Sequence, residues 1–235
     1  MVHTKGKSKP SEKVKSAVLK MKRIAVLLSL LSLGHCAPVD VCETLVKPKA
    51  VSHDEMLGKW LYIGATSDLP GSRSLGHLLT SAWIEGRATS QSNILELIQA
   101  QKIYGKCTTL KYNVTFENNI LLIEHPFYLK EVYLPTECSD CLVIYETVKS
   151  GDDSFESLLL FSKSKTVSSA AMEMVKKQAE CLRMPSLLMA NPNDEICQED
   201  PSPMEGLQAL NKYLEAKTAH YVAKFLDTIF DLFIN

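Results

Sequence analysis

The chain predicts an all-β fold: an eight-stranded up-and-down antiparallel barrel with a flanking α-helix and an extra C-terminal amphipathic helix. Three observations carry that expectation. Short β-like segments recur between turn signals across residues 58–163, the period becomes helical after Thr166, and an even set of cysteines remains once a removable leader is set aside. Closure into a barrel leaves no unpaired edge. A barrel of about eight strands has an interior just wide enough for one small ligand.

The leader comes first along the chain. Met21, Lys22 and Arg23 precede an apolar run over residues 24–33, and Gly34 and Cys36 supply small residues beyond it. A basic n-region, a short h-region and small residues before the cut are what a secretory signal needs. Cleavage after Cys36 leaves Ala37 as the mature start, whereas a cut after Ala37 puts Pro38 beside the cleaved bond. The run is too short for a membrane span, which takes ~20 apolar residues. A basic stretch with Lys5, Lys7, Lys9, Lys13, Lys15 and Lys20 precedes it. That prefix reads either as an overlong start, with initiation at Met21, or as a targeting arm. The predicted organisation is therefore 1–20 basic extension, 21–36 signal peptide, 37–200 barrel domain and 201–235 C-terminal helix.

Within the barrel, the first strand is Gly58-Lys59-Trp60-Leu61-Tyr62-Ile63-Gly64, rich in aromatic and β-branched residues. Asp68-Leu69-Pro70-Gly71-Ser72 breaks it. Further strands are predicted over 80–87, 93–101, 107–116, 120–124, 127–134, 142–145 and 155–162, with a turn at Glu117-Asn118-Asn119. The sequon Asn113-Val114-Thr115 marks Asn113 as an N-glycan acceptor in a secreted chain, and a glycan must point outward. Period-2 alternation then turns Leu110, Tyr112 and Val114 inward. Tyr62, two residues beyond Trp60, shares the inward face of its strand.

The helical part follows. Thr166 or Ser168 can cap a helix carrying Met172, Val175 and Ala179, which Pro185 ends. In the tail, Leu207, Leu210, Leu214, Tyr221, Phe225 and Ile229 fall on one helical stripe, and Phe230, Leu232, Phe233 and Ile234 make the last turn apolar nearly all round. Such a helix covers the barrel, self-associates or lies on a lipid surface. Docking on its own barrel is the simplest of the three.

Composition narrows the function classes. The 235 residues are 46% hydrophobic and 23% charged, with a formal net charge of -1. A nearly neutral chain lacks the concentrated basic surface that nucleic acid requires. Removing Cys36 from seven cysteines leaves Cys42, Cys107, Cys138, Cys141, Cys181 and Cys197, an even number suited to disulfides in an oxidising compartment. Spacing alone does not choose their pairing. Cys138-Ser139-Asp140-Cys141 has neither a second Cys pair or His pair for a metal nor a βαβ context for redox work, so a structural disulfide is expected. His53, His77, His125 and His220 are scattered, Ser74 and Ser157 lack a nucleophile elbow, and Glu96 and Glu124 form no evident acid/base pair. No catalytic residue, metal site or cofactor is expected, and an enzyme would need a reactive thiol that the even count disfavours.

These residues resemble the lipocalin family. Gly58-Lys59-Trp60 is similar to its Gly-x-Trp motif, whose Trp seals the closed end of the barrel. The stretch Gly58 to Ile63, Cys107 followed by Asn113-Val114-Thr115, and Glu180-Cys181-Leu182-Arg183-Met184-Pro185 resemble the α1-acid glycoprotein (orosomucoid) branch. Cys138-Ser139-Asp140-Cys141-Leu142 resembles the fish saxitoxin-, tetrodotoxin- and tributyltin-binding branch, with apolipoprotein M a neighbouring group. The resemblance spans about residues 41–198. It implies the pairs Cys42–Cys181 and Cys107–Cys197, which leaves Cys138–Cys141. It also implies Ile84, Leu97 and Gln99 as pocket-wall residues beside Tyr62, Leu110 and Tyr112, with plain core packing as the competing role for each. Many lipocalins place an Arg after the last strand over the motif Trp; here Ser162-Lys163 stands there.

The resulting expectation is a secreted, monomeric, extracellular carrier for small hydrophobic or amphiphilic molecules of toxin, xenobiotic, lipid or steroid type. The alternative is an apolipoprotein M-like, lipoprotein-associated lipid carrier held to its particle through the C-terminal helix.

Overall fold

A computed structural model of the chain describes residues 39–198 and 206–234. The basic prefix, the leader with Cys36 and the proposed cleavage point lie outside them. From Asp40 onward the chain forms one compact unit.

Helix α1 (Val39–Val46) leads through a short 3-10 turn (Asp54–Met56) into strand β1 (Gly58–Ser67). Then come helix α2 (Ser72–Leu78) and strands β2 (Leu79–Ala88), β3 (Ile94–Ile103), β4 (Lys106–Glu117), β5 (Ile120–Ile123) and β6 (Tyr128–Leu134). Strands β7 (Cys141–Ser150) and β8 (Asp153–Ser162) complete the wall, followed by helix α3 (Ser169–Cys181) and a two-residue strand β9 (Leu188–Met189). Helices α4 (Gly206–Glu215) and α5 (Lys217–Ile234) end the chain.

Every neighbouring pair is antiparallel, in the order β2-β3-β4-β5-β6-β7-β8-β1-β9, and β1 also pairs with β2. That last pairing closes an eight-stranded up-and-down barrel, as expected. Closure is uneven. β2 joins only the first part of β1, Gly58 to Leu61, while β9 takes the same edge farther on, at Gly64 and Ala65. A register shift between Tyr62 and Gly64 accompanies the change of partner on the β8 side.

The pleat sorts side chains into three buried groups. Trp60, Leu95, Val114, Phe116, Ile144 and Phe161 belong to the group filling the barrel interior. Outside it, Ile63, Val143, Leu158 and Leu160 receive Val175 and Ala179 of α3. Trp83, Ile98, Ala100 and Cys197 form the third group, where the Trp83 indole N–H donates to the Cys197 carbonyl at 2.7 Å. Burying side chains of this size contributes about 1.5–3 kcal/mol each before the entropy of ordering is set against it.

Helix α3 starts where the sequence places its cap, since the Ser168 hydroxyl accepts from the Ala171 N–H at 3.2 Å. Its fully buried Gln178 donates to the carbonyls of Leu45 and Pro135, tying α1, the end of β6 and α3 together. The disulfides are Cys42–Cys181, Cys107–Cys197 and Cys138–Cys141. The first two close long loops, spanning 139 and 90 residues, where a cross-link restricts the unfolded chain most.

The tail departs from the single stripe predicted for it. It breaks at Ala216 into two helices, and the halves of the stripe go to different places. Leu214 is buried with the barrel interior, whereas Tyr221 and Phe225 are exposed. Two further elements, α1 and α2, arise where no helix was predicted.

Candidate functional site

The closed end lies where β1 begins. Gly58 takes φ +86°, a left-handed backbone suited to glycine, and Trp60 enters the barrel two residues later, 3% exposed. The Lys163 ammonium sits 4.8 Å from the Trp60 ring centroid. A lysine thus supplies the cation over the indole that many lipocalins supply with arginine, through cation–π attraction.

The open end is built by the β1–α2 segment and the β7–β8 hairpin, and there lies a cavity of about 570 Å³. Tyr62, Ala65 and Ser67 of β1, Ser157 and Leu159 of β8, and Leu69, Leu75 and Leu79 line it, with Tyr213 of α4 against it. A space of this volume suits a drug-sized guest, and its wall is mainly apolar with a few hydroxyls. Of the residues expected to touch ligand, Tyr62 lines this cavity. Ile84, Leu97 and Tyr112 join the interior group nearer the base, and Gln99 and Leu110 are cross-strand partners on the same inward face. The Tyr112 hydroxyl donates to Gln99 Oε1 at 3.4 Å. Asn113 is exposed, opposite Glu96, whose carboxylate meets Lys111 at 2.8 Å on the outer face.

Sequence reasoning missed two carboxylates. Glu131 lies between the interior residues Leu129 and Tyr133 on β6, and Glu146 between Ile144 and Val148 on β7. They are direct cross-strand partners, so alternation turns both into the lumen. Each keeps some surface toward the lumen, yet enclosure by protein removes bulk water. Burial, followed by the charge of Glu146, pushes Glu131 up to about 8. Burial pushes Glu146 up to about 7. Tyr112 is also held above the ordinary phenol range, first by burial and then by the charges of Glu131 and Glu146. The lumen therefore carries an apolar wall with one acidic point at mid-height. The signal for it was available, because Leu129-Lys130-Glu131-Val132-Tyr133 places Glu131 in phase with two apolar residues.

Across the mouth runs the C-terminal helix pair. Asp227 of α5 accepts hydrogen bonds from the Gly71 N–H at 2.7 Å, the Ser74 N–H at 2.8 Å and the Ser74 hydroxyl at 2.8 Å. It thereby satisfies free donors at the start of α2 from far along the chain. Asp231 receives both of its oxygens' contacts from Arg73 Nε, at 2.6 and 2.9 Å. The Tyr213 hydroxyl donates to the Pro70 carbonyl, and His220 packs edge-on against Phe155. Gly71, at φ +85°, permits this approach: a Cβ there would lie 2.8 Å from the Tyr213 hydroxyl and 3.2 Å from Ala223 Cβ.

Comparison with known proteins agrees with this geometry. The ApoM domain pattern matches residues 24–200. No curated protein matches the chain. Among solved structures, the siderocalin Ex-FABP superposes with a TM-score of 0.55 at 18% identity, over 62% of this chain and 99% of that one. The odorant-binding protein OBP1 gives 0.52 at 14% identity, over 64% and 99%. Lipocalin 12 from rat epididymis gives 0.53 at 12% identity, over 68% and 95%. At such identities these likenesses speak for the fold. The chain belongs to the ApoM-domain family, lipocalin-type barrels that bind and carry small hydrophobic ligands.

Proposed function

We propose that the protein is a secreted, extracellular carrier that takes one small amphiphilic molecule through the barrel mouth, with its apolar body in the cavity and a cationic or proton-donating head toward Glu131 and Glu146. The observation that carries this reading is the acidic pair of a largely apolar lumen beside the cavity of about 570 Å³, where Glu146 is the cross-strand partner of the cavity-lining Ser157. Affinity comes from removing apolar surface from water, about 25 cal/mol per Å². The carboxylates and the Tyr112–Gln99 pair fix orientation. A basic xenobiotic or toxin of the kind the α1-acid glycoprotein and fish toxin-binding resemblances imply fits this pattern better than a neutral steroid. The six disulfide cysteines and the exposed sequon at Asn113 suit an extracellular route, with a glycan on Asn113 and the leader removed. A lone barrel is taken to be the working unit.

A fluorescent alkylamine, dansylcadaverine, and its N-acetylated neutral form test the reading. The amine is expected to bind at least tenfold tighter than the neutral form, tightening as pH rises from 6 to 8.5 while the pair ionises. Glu131→Gln/Glu146→Gln should erase that preference. Tyr112→Ala should weaken binding more than it lowers the melting temperature. Equal binding of both probes by the wild-type chain would contradict the assignment of the head group.

The second reading, a lipoprotein-associated lipid carrier, draws its support from one feature: the apolar face that α5 turns away from the barrel.

A further inference from the structure

Helix α5 is amphipathic in an inverted sense. At 100° per residue, Ala223, Asp227, His220 and Asp231 fall on one side, and these are the residues engaged with the mouth. Tyr221, Val222, Phe225, Leu226 and Leu232 fall on the other, exposed by 79, 59, 65, 42 and 72%. A surface helix of a globular protein normally buries its apolar stripe. Here Asp227, His220 and Asp231 face the protein beside Ala223 and Phe230, whose ring stacks on His77, and a second, wider apolar side faces out.

We propose that this outward face is a docking surface for an anionic lipid surface, lying in the headgroup region with the barrel mouth beside it. This deepens the lipid-associated reading and rests on it. Two features favour lipid over a second copy or a protein groove. The stripe spans well over 100° and is topped by Tyr221 and Phe225, broader than the narrow seam a coiled-coil partner reads. Its charge is also complementary: the exposed charged residues along α5 are Lys224 and Lys217, the latter 3.5 Å from Asp153 yet still largely exposed, both at the edge of the stripe, while Asp227 and Asp231 turn to the rim. Among the described residues no helix is long and apolar enough to cross a membrane, so α5 lies along the surface. Because α5 straps the rim, docking brings the mouth to the lipid, and a guest exchanges between lipid and lumen with little passage through water.

The test is flotation of the secreted, cell-processed full-length chain with vesicles of phosphatidylcholine alone or with one-third phosphatidylserine. Wild-type protein is expected to float with the anionic vesicles and much less with the neutral ones. Tyr221→Ser/Phe225→Ser should lose binding by at least about tenfold. Lys217→Gln/Lys224→Gln should lose only the preference for phosphatidylserine. Both variants should keep the wild-type melting temperature, since the side chains are exposed, and should still bind dansylcadaverine, which separates failure here from failure of the carrier reading. No flotation of wild type, undiminished flotation of the Tyr221/Phe225 variant, or a dimer that buries the stripe and ignores vesicles would each overturn the proposal.

Discussion

Glu131 and Glu146 show how one pair of residues trades stability for a lumen feature. Both carboxyls are held above their ordinary 4.5, so the folded chain keeps protons that the unfolded chain has released. Stability from this pair is therefore full below about pH 4.5, falls as pH rises toward 7–8, and is level beyond that. Glu146→Gln should raise stability at pH 8, on the order of 1–3 kcal/mol, and leave it unchanged at pH 4. Thermal unfolding at the two pH values decides it, and an equal shift at both would refute the buried-pair account. At this scale the sequence was partly legible. Alternation around Asn113 turned Tyr112 and Leu110 inward because a strand's period leaves no other choice. The carboxylate pair escaped because partnership across β6 and β7 depends on register, which one strand's text does not carry.

At the scale of elements, the C-terminal helices were the least legible part. No Gly or Pro marks the break at Ala216, where the Tyr213 carbonyl accepts from the Ala216 N–H and meets His220 Nε2 at 3.0 Å. The stripe looked continuous because helical periodicity records spacing and is silent about which partner covers it. Helix α2, just beyond the 68–72 breaker, escapes the sequence for a related reason: its start is capped by Asp227, more than a hundred residues away. Asp227→Ala removes three hydrogen bonds to the rim. Amide exchange in α2 and α5 should then accelerate severalfold while β3, β4 and β7 keep their protection. Uniform acceleration throughout would mean that the helix supports the whole barrel. The long-loop disulfides belong to the same scale. Replacing both Cys107 and Cys197 by Ser should lower stability by about 2–5 kcal/mol, measured by denaturant unfolding under non-reducing conditions.

For the whole molecule, the barrel is legible in the sequence. Eight segments between turn signals, Gly58-Lys59-Trp60 at their head and a capped helix after them leave few other ways to bury so much alternating apolar surface. The uneven closure was not readable. β1 exchanges β2 for β9 partway along, and the cavity opens where that exchange and α2 widen the wall. A sealed indole base, an acidic mid-section and a strapped mouth together describe a container with one opening. Leu159, on the inward face of β8 and in the cavity wall, is the place to fill it. Native mass spectrometry of the wild-type chain and Leu159→Trp, each incubated with dansylcadaverine, tests the container directly. One guest per wild-type chain and none in the filled variant is the predicted result; equal loading of both, or none in either, would contradict it.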